Sequence, residues 1–190
     1  MKKQEFLERL NANALSPVSL DKEPIEGITY KDTLAQFVAM SKQVGCRVVE
    51  APANADLDQL VHQLCPQAQR IASHLKEIKA DVNPDIVATA ADLNHTDVGV
   101  LRAELGVAEN GCVWLPQTMK ERAVMFISEE LVIFLDRHKV VDNMHQAYQK
   151  VEMSSYGYGV FMSGPSKTAD IEQALVMGAQ AARAVTIVLT

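Results

Sequence analysis

Two short stretches carry residue types suited to chemistry. The first is Ser163-Gly164-Pro165-Ser166-Lys167-Thr168-Ala169-Asp170, which follows the strand-like run Tyr158–Met162. A strand that feeds a glycine-containing turn at a helix N-terminus makes an anion site, because unpaired backbone N–H groups point outward and the helix dipole favours negative charge. On that reading Ser163, Gly164, Ser166, Lys167 and Thr168 hold the anion, the hydroxyls as donors and Lys167 as the cation. A plainer use exists for the same residues. Ser166 is a good helix N-cap, and Asp170 and Glu172 suit the first turn of any helix. The spacing of a Walker A phosphate loop is absent.

The second stretch is Ala108-Glu109-Asn110-Gly111. Glu109 precedes a turn and has the chemistry of a carboxylate nucleophile or base, with Gly111 grouped among the ligand-binding residues. The plain alternative is a hairpin, since Asn-Gly between two strand-like runs is a strong turn signal. Other chemistries find less support. The five histidines lack metal-ligand spacing, and Asp92–Asp97 departs from the calcium-loop pattern. There is no nucleophile-elbow pattern, and Gly157, Gly159 and Gly164 do not form a dinucleotide fingerprint. Neither a metal nor a cofactor is expected.

The elements that must position these residues alternate. Lys2–Asn11 reads as a short amphipathic helix with Phe6, Leu7 and Leu10 on one side, followed by a polar arm containing Pro17 and Pro24. Residues 1–27 are therefore expected to be a helix and extended arm, and 28–190 the main domain. Asp32 or Thr33 caps a helix ending at Gly45; Cys46–Glu50 is a strand, Asp56–Cys65 a helix and Gln69–Ser73 a strand. Val98–Glu109 and Cys112–Leu115 are strand-like, and Leu131–Leu135 is the clearest buried strand. Val140–Val151 fits a helix, a further helix runs from the Ser166 turn to about Met177, and Ala184–Leu189 closes the chain as a strand. Such alternation predicts an α/β fold with a largely parallel central sheet flanked by helices.

Composition narrows the setting. The chain has 190 residues, 48% hydrophobic and 22% charged, which suits one ordinary domain. No apolar run approaches the about 20 residues needed to cross a bilayer, and the charged start Met1–Glu8 is unlike a secretory peptide. Three cysteines, Cys46, Cys65 and Cys112, cannot pair completely and show no CxxC spacing, so a cytoplasmic, reducing setting is expected. A net charge of −6 with scattered basic residues argues against nucleic acid as a partner.

Tyr158–Glu172, with Leu175-Val176-Met177-Gly178 after it, resembles the C-terminal signature of the LUD-domain family, of the lactate-utilisation protein C type. Val107–Leu115 is similar to the other family motif, and Leu131–Leu135 and Lys139-Val140-Val141 follow where that pattern expects them. The likeness is specific from about Val98 to Leu189 and holds only in outline before that. It implies a fold akin to the ribose-phosphate isomerase, glucosamine-phosphate deaminase and CoA-transferase group. It also implies a part in the cytoplasmic oxidation of L-lactate to pyruvate, beside iron–sulfur and cysteine-rich partner subunits. Two departures stand out: Gln180-Ala181-Ala182 replaces a His-Gly-Pro string, and Asn110 replaces a threonine. Ala108-Glu109-Asn110-Gly111 is similar to the Ser-Glu-Asn-Gly motif of CoA-transferase subunits, whose glutamate forms a thioester.

The expectation is a lactate-oxidation component that binds a small anionic metabolite in a strand-end cleft shared by Glu109 and the Ser163–Thr168 turn. Two rivals stay open. One is an acyl-transfer enzyme with Glu109 as nucleophile; the other is a non-catalytic interaction subunit whose N-terminal helix docks on a partner or a second copy.

Overall fold

The computed structural model describes residues 3–13, 25–52, 54–152, 157–169, 175–177 and 182–190. In chain order the elements are α1 (Lys3–Ala12), α2 (Thr33–Gln43), β1 (Arg47–Glu50), α3 (Leu57–Leu64), β2 (Ile71–Ala72), β3 (Val98–Ala103), β4 (Leu105–Val107), β5 (Cys112–Pro116), α4 (Val124–Ile127), β6 (Glu130–Leu135), β7 (Val140–Val141), α5 (Met144–Lys150), β8 (Gly159–Met162), β9 (Lys167–Ala169), β10 (Leu175–Met177) and β11 (Ala184–Leu189). Local chemistry sets several boundaries. The Asp32 carboxylate accepts from Ala35 N at 2.9 Å and that of Asp56 from Gln59 N at 3.1 Å, which caps α2 and α3. Gly45, at φ +96°, ends the turn after α2. The α1 helix buries none of its residues, and Phe6, Leu7 and Leu10 are exposed.

The main sheet has five strands in the order β1-β11-β6-β3-β2, every neighbour parallel. Its central strand explains the unbroken apolar run at 131–135. On one face Leu131, Ile133 and Leu135 join Leu101, Ile187 and Leu189 against Phe37 of α2 and Val124 and Met125 of α4. On the other, Val132 and Phe134 join Val98, Val100 and Val188 against Val61 of α3. A parallel strand covered on both faces has no polar side to show. Each such side chain fully removed from water contributes about 1.5–3 kcal/mol.

A second sheet, β7-β4-β5-β8, grows from the first. The chain leaves β3 at Ala103, breaks at Glu104 and continues as β4. There it forms an antiparallel hairpin with β5, pairing Leu105 with Trp114 and Val107 with Cys112. The Asn110-Gly111 turn closes that hairpin, with Gly111 at φ +65°.

Two expected helices are corrected. Val140–Val151 is not one helix: the β-branched pair Val140–Val141 runs parallel to β4, and the helix starts only at Met144. Asn143 caps it, its Oδ1 accepting from Gln146 N at 3.0 Å. The expected helix to Met177 is replaced at both ends by strands, with β9 and β10 antiparallel and Val176 opposite Thr168. The β-branched Thr168 and Val176 suit that pairing. Asp170 and Glu172, assigned to the first turn of that helix, lie outside the described residues, as do Pro17 to Pro24 of the arm.

Candidate functional site

The two stretches singled out from sequence do meet. Ser163 Oγ donates to the Asn110 carbonyl at 2.9 Å, which joins the tip after β8 to the tip between β4 and β5. The donors expected to face a guest are, however, used within the chain. The Lys167 ammonium donates to the Val44 carbonyl at the end of α2. Ser166 N donates to Ala182 O at 2.9 Å and the Gly164 N–H to the Cys46 sulfur. Across the contact, Glu109 N donates to Asp142 O and Gly111 N to Val107 O, both at 2.9 Å, and Cys112 N to Asn110 Oδ1 at 3.1 Å. Glu109 is exposed, and its Oε2 accepts from Met144 N at 2.9 Å, so the carboxylate sits on the first turn of α5. Thr168 lies in β9, and among the described residues no helix begins at this turn.

A cavity of about 870 Å³ opens elsewhere, across the carboxyl ends of β1, β11, β6 and β3. Its charged and imidazole side chains are Glu50, Arg102, Asp136, Arg137, His138 and Lys139, and Ala51, Pro52 and Leu57 give it an apolar side. The corner after β6 builds its rim. Asp136 Oδ1 accepts from His138 N and its carbonyl accepts from Lys139 N, both at 2.9 Å, so the turn satisfies its own amides. Arg137 N donates to Thr190 O at 3.1 Å, and its guanidinium lies 3.5 Å from the Glu50 carboxylate, spanning β11 to reach β1. Arg102 pairs with Glu77 and lies 5.5 Å from the centre of the Phe134 ring. Among the described residues the exposed Lys139 ammonium has neither an ion pair nor a hydrogen bond. In open parallel sheets ligands gather at this end of the strands, and ligand cavities run from roughly 300 to 1,000 Å³.

Comparison with known proteins fits this architecture. The LUD domain pattern matches residues 34–190. The chain belongs to the LUD domain family. That family is associated with lactate utilisation. The LUD domain chain is also similar to the crystal structure of a DUF162 family protein from Deinococcus radiodurans, with 13% identity, a TM-score of 0.63, and coverage of 83% of this chain and 95% of that one. At that identity the likeness bears on the fold alone. No match was found among proteins of curated function.

Electrostatics within the LUD domain separate buried groups from the cleft. Burial pushes the Cys46 thiol up to about 11 against the opposing Lys167 ammonium, and burial pushes Cys112 up to about 12. Both are held as thiols and make poor nucleophiles at neutral pH. The Thr33 hydroxyl, bonded at 2.6 Å, together with Gln146 and Tyr30 N, holds the Asp142 carboxyl below its usual range. It thereby ties the entry to α2 onto the loop before α5. Among the described residues no group of three or more His, Cys, Asp or Glu could hold a metal ion, and no helix is long and apolar enough to cross a membrane.

The site residues that sequence reasoning missed are Arg102, Arg137, His138 and Lys139. A signal for three of them was present: Asp136-Arg137-His138-Lys139 directly follows the clearest buried strand. In a parallel sheet that is where a ligand-binding loop belongs. Of the replaced His-Gly-Pro string, Gln180 and Ala181 lie outside the described residues, and Ala182 is buried.

Proposed function

We propose that this LUD domain protein is a component of L-lactate oxidation to pyruvate, working beside iron–sulfur and cysteine-rich subunits in the cytoplasm, and that it binds an anionic metabolite in the carboxyl-end cleft. What carries the reading is the rim of Arg102, Arg137, His138 and Lys139 around a cavity at the ends of four parallel strands. In a chain with six excess negative charges the cleft gathers three cations, Arg102, Arg137 and Lys139, against the side-chain carboxylates of Glu50 and Asp136, and a concave site with an excess of cations attracts anions. Oxidising lactate to pyruvate breaks the C2–H and O–H bonds and forms C=O, releasing two electrons and two protons in all. The iron–sulfur partner takes the electrons, the protons pass to solvent, and this subunit contributes anion binding.

The test is L-lactate-dependent reduction of a dye by the assembled subunits. With the Arg137→Ala/Lys139→Ala double variant the rate at subsaturating lactate is expected to fall about tenfold, which is the effect of losing about 1.4 kcal/mol of binding. A rate that is the same with the double variant, or with this chain left out, would overturn the proposal.

A further inference from the structure

The cleft across the ends of β1, β11, β6 and β3 is much larger than a three-carbon acid, and its chemistry changes along its length. We infer that it takes a ribonucleoside diphosphate. The phosphates lie against Arg102, Arg137 and Lys139, the ribose hydroxyls donate to Glu50, and the base rests on Ala51, Pro52 and Leu57. The inference rests on the reading above for the cleft and its cations, and it names a class of anion that competes with lactate for them.

The register of the sheet sets the scale. Glu50 stands beside Leu189, Leu189 beside Leu135 and Leu135 beside Ala103, so one row of Cα partners crosses the four strand ends. Neighbouring strands lie about 4.8 Å apart, and three such steps put the end of β3 roughly 14 Å from Glu50. A three-carbon acid is far shorter than that row. An extended nucleoside diphosphate is of comparable length, and the volume of about 870 Å³ admits it.

The two ends of the row ask for different groups. Arg102 and Lys139 belong to the β3 and β6 end, with Arg137 between them and β1. Guanidinium and ammonium groups pair with phosphate oxygens, and three cations favour a diphosphate over a single carboxylate. At the β1 end stands an acid, Glu50, and a site for a simple anion gains nothing from a carboxylate on its rim. Asp136 has a use within the chain, since its Oδ1 accepts from His138 N. The Glu50 side chain is 73% exposed, and its contact with the Arg137 guanidinium is 3.5 Å long. An ionised carboxylate carries about four lone-pair sites, so Glu50 keeps acceptors for hydroxyl donors. The neighbouring pair of hydroxyls on a ribose supplies such donors. Beside Glu50, Ala51, Pro52 and Leu57 offer an apolar surface for a flat ring. Phosphates, a diol and a ring, in that order along the row, describe a ribonucleotide.

The test is calorimetric titration of the full-length protein at fixed ionic strength with ADP, 2′,3′-dideoxy-ADP, adenosine and inorganic pyrophosphate. ADP is expected to bind one to one and at least tenfold tighter than pyrophosphate or adenosine. Glu50→Gln is expected to weaken ADP at least tenfold without weakening pyrophosphate, and to bind dideoxy-ADP as the wild type does. Lys79→Ala, an exposed cation outside the cleft, is expected to leave all four titrations unchanged. ADP that binds no tighter than pyrophosphate would show an unselective anion surface and overturn the nucleotide. Equal losses of ADP and dideoxy-ADP in Glu50→Gln would overturn the contact to the ribose. If ADP does not saturate while lactate oxidation still depends on Arg137 and Lys139, the nucleotide falls and the reading of the cleft above stands. If ADP binds with the Glu50 signature while oxidation is indifferent to those two residues, the nucleotide site stands and the lactate reading falls.

Discussion

At Ser163–Lys167 and at Asp136–Lys139 a strand hands the chain to a loop tip bearing polar and cationic side chains, and the two tips put them to opposite use. In the first, the Ser163 hydroxyl, the Lys167 ammonium and the amides of Gly164 and Ser166 all turn toward carbonyls or sulfur of the same chain. In the second, the Asp136 side chain and carbonyl satisfy the amides of His138 and Lys139, and the long side chains are left facing a cavity. The nearby end of α2 explains the contrast. A helix C-terminus presents unpaired carbonyls such as that of Val44, and a lysine beside it is a favourable partner. A turn rich in donors is therefore a ligand site only when no such acceptor lies within reach.

The first way to break this comparison is to spoil the packing of the hairpin turn on which the inward-turned tip rests through Ser163 and Asn110. Gly111 has φ +65°, and a Cβ there would stand 2.6 Å from Ser41 N and 2.8 Å from the Met40 carbonyl carbon, both backbone atoms. Strain at a left-handed position costs about 1–3 kcal/mol for a residue other than glycine, and the backbone clash adds to it. Gly111→Ala is expected to show the largest loss of thermal stability of the variants considered, with anion affinity per folded molecule unchanged. An unaltered melting temperature would show that the hairpin turn at Gly111 does not depend on its close seat against α2.

A second test exchanges the roles. Lys167→Met removes the donor to Val44 O and is expected to cost about 0.5–1.5 kcal/mol, the net value of one hydrogen bond, without altering anion binding. Arg137→Ala loses a partly exposed pair with Glu50, so its stability is expected to stay within about 0.5 kcal/mol of wild type, while affinity for lactate or phosphate in the cleft falls several-fold. Calorimetric titration and thermal melting of both variants decide it. If Lys167→Met loses the anion and Arg137→Ala keeps it, the comparison is inverted and the glycine-containing turn is the site.

How much of this was legible in the sequence follows the same division. Features set by neighbouring residues could be read directly: the Asp32 and Asp56 caps, the hairpin at Asn110-Gly111 and the doubly covered strand at Leu131–Leu135. The meeting of Ser163 with Asn110 was legible too, because both stretches follow strands. The cleft was not. Glu50, Arg102 and Arg137 come from three separate strand ends, and only the order β1-β11-β6-β3 brings them to one rim. That order is a property of the folded sheet and leaves no mark on spacing. Val140–Val141 and Lys167–Ala169 read as helical because each is too short to show strand alternation, and partners distant in sequence decided their state.

The smallest effect is expected at Glu109, where a catalytic and a structural role diverge most clearly. Its carboxylate accepts from Met144 N at the first turn of α5, where negative charge is favoured. Glu109→Gln keeps an acceptor oxygen and removes only the charge, so the expected cost is about 0.3–1 kcal/mol of stability. On the acyl-transfer reading the same substitution would remove the nucleophile. Incubating the wild-type protein with acetyl-CoA, trapping with hydroxylamine and locating the product by mass spectrometry separates the two. A capping carboxylate, bound to an amide and with the neighbouring amides of Gly111 and Cys112 already donating elsewhere, lacks free donors for a tetrahedral oxyanion. No adduct is therefore expected at Glu109, and an adduct there would return the chemistry to the hairpin turn and leave the cleft with substrate binding alone.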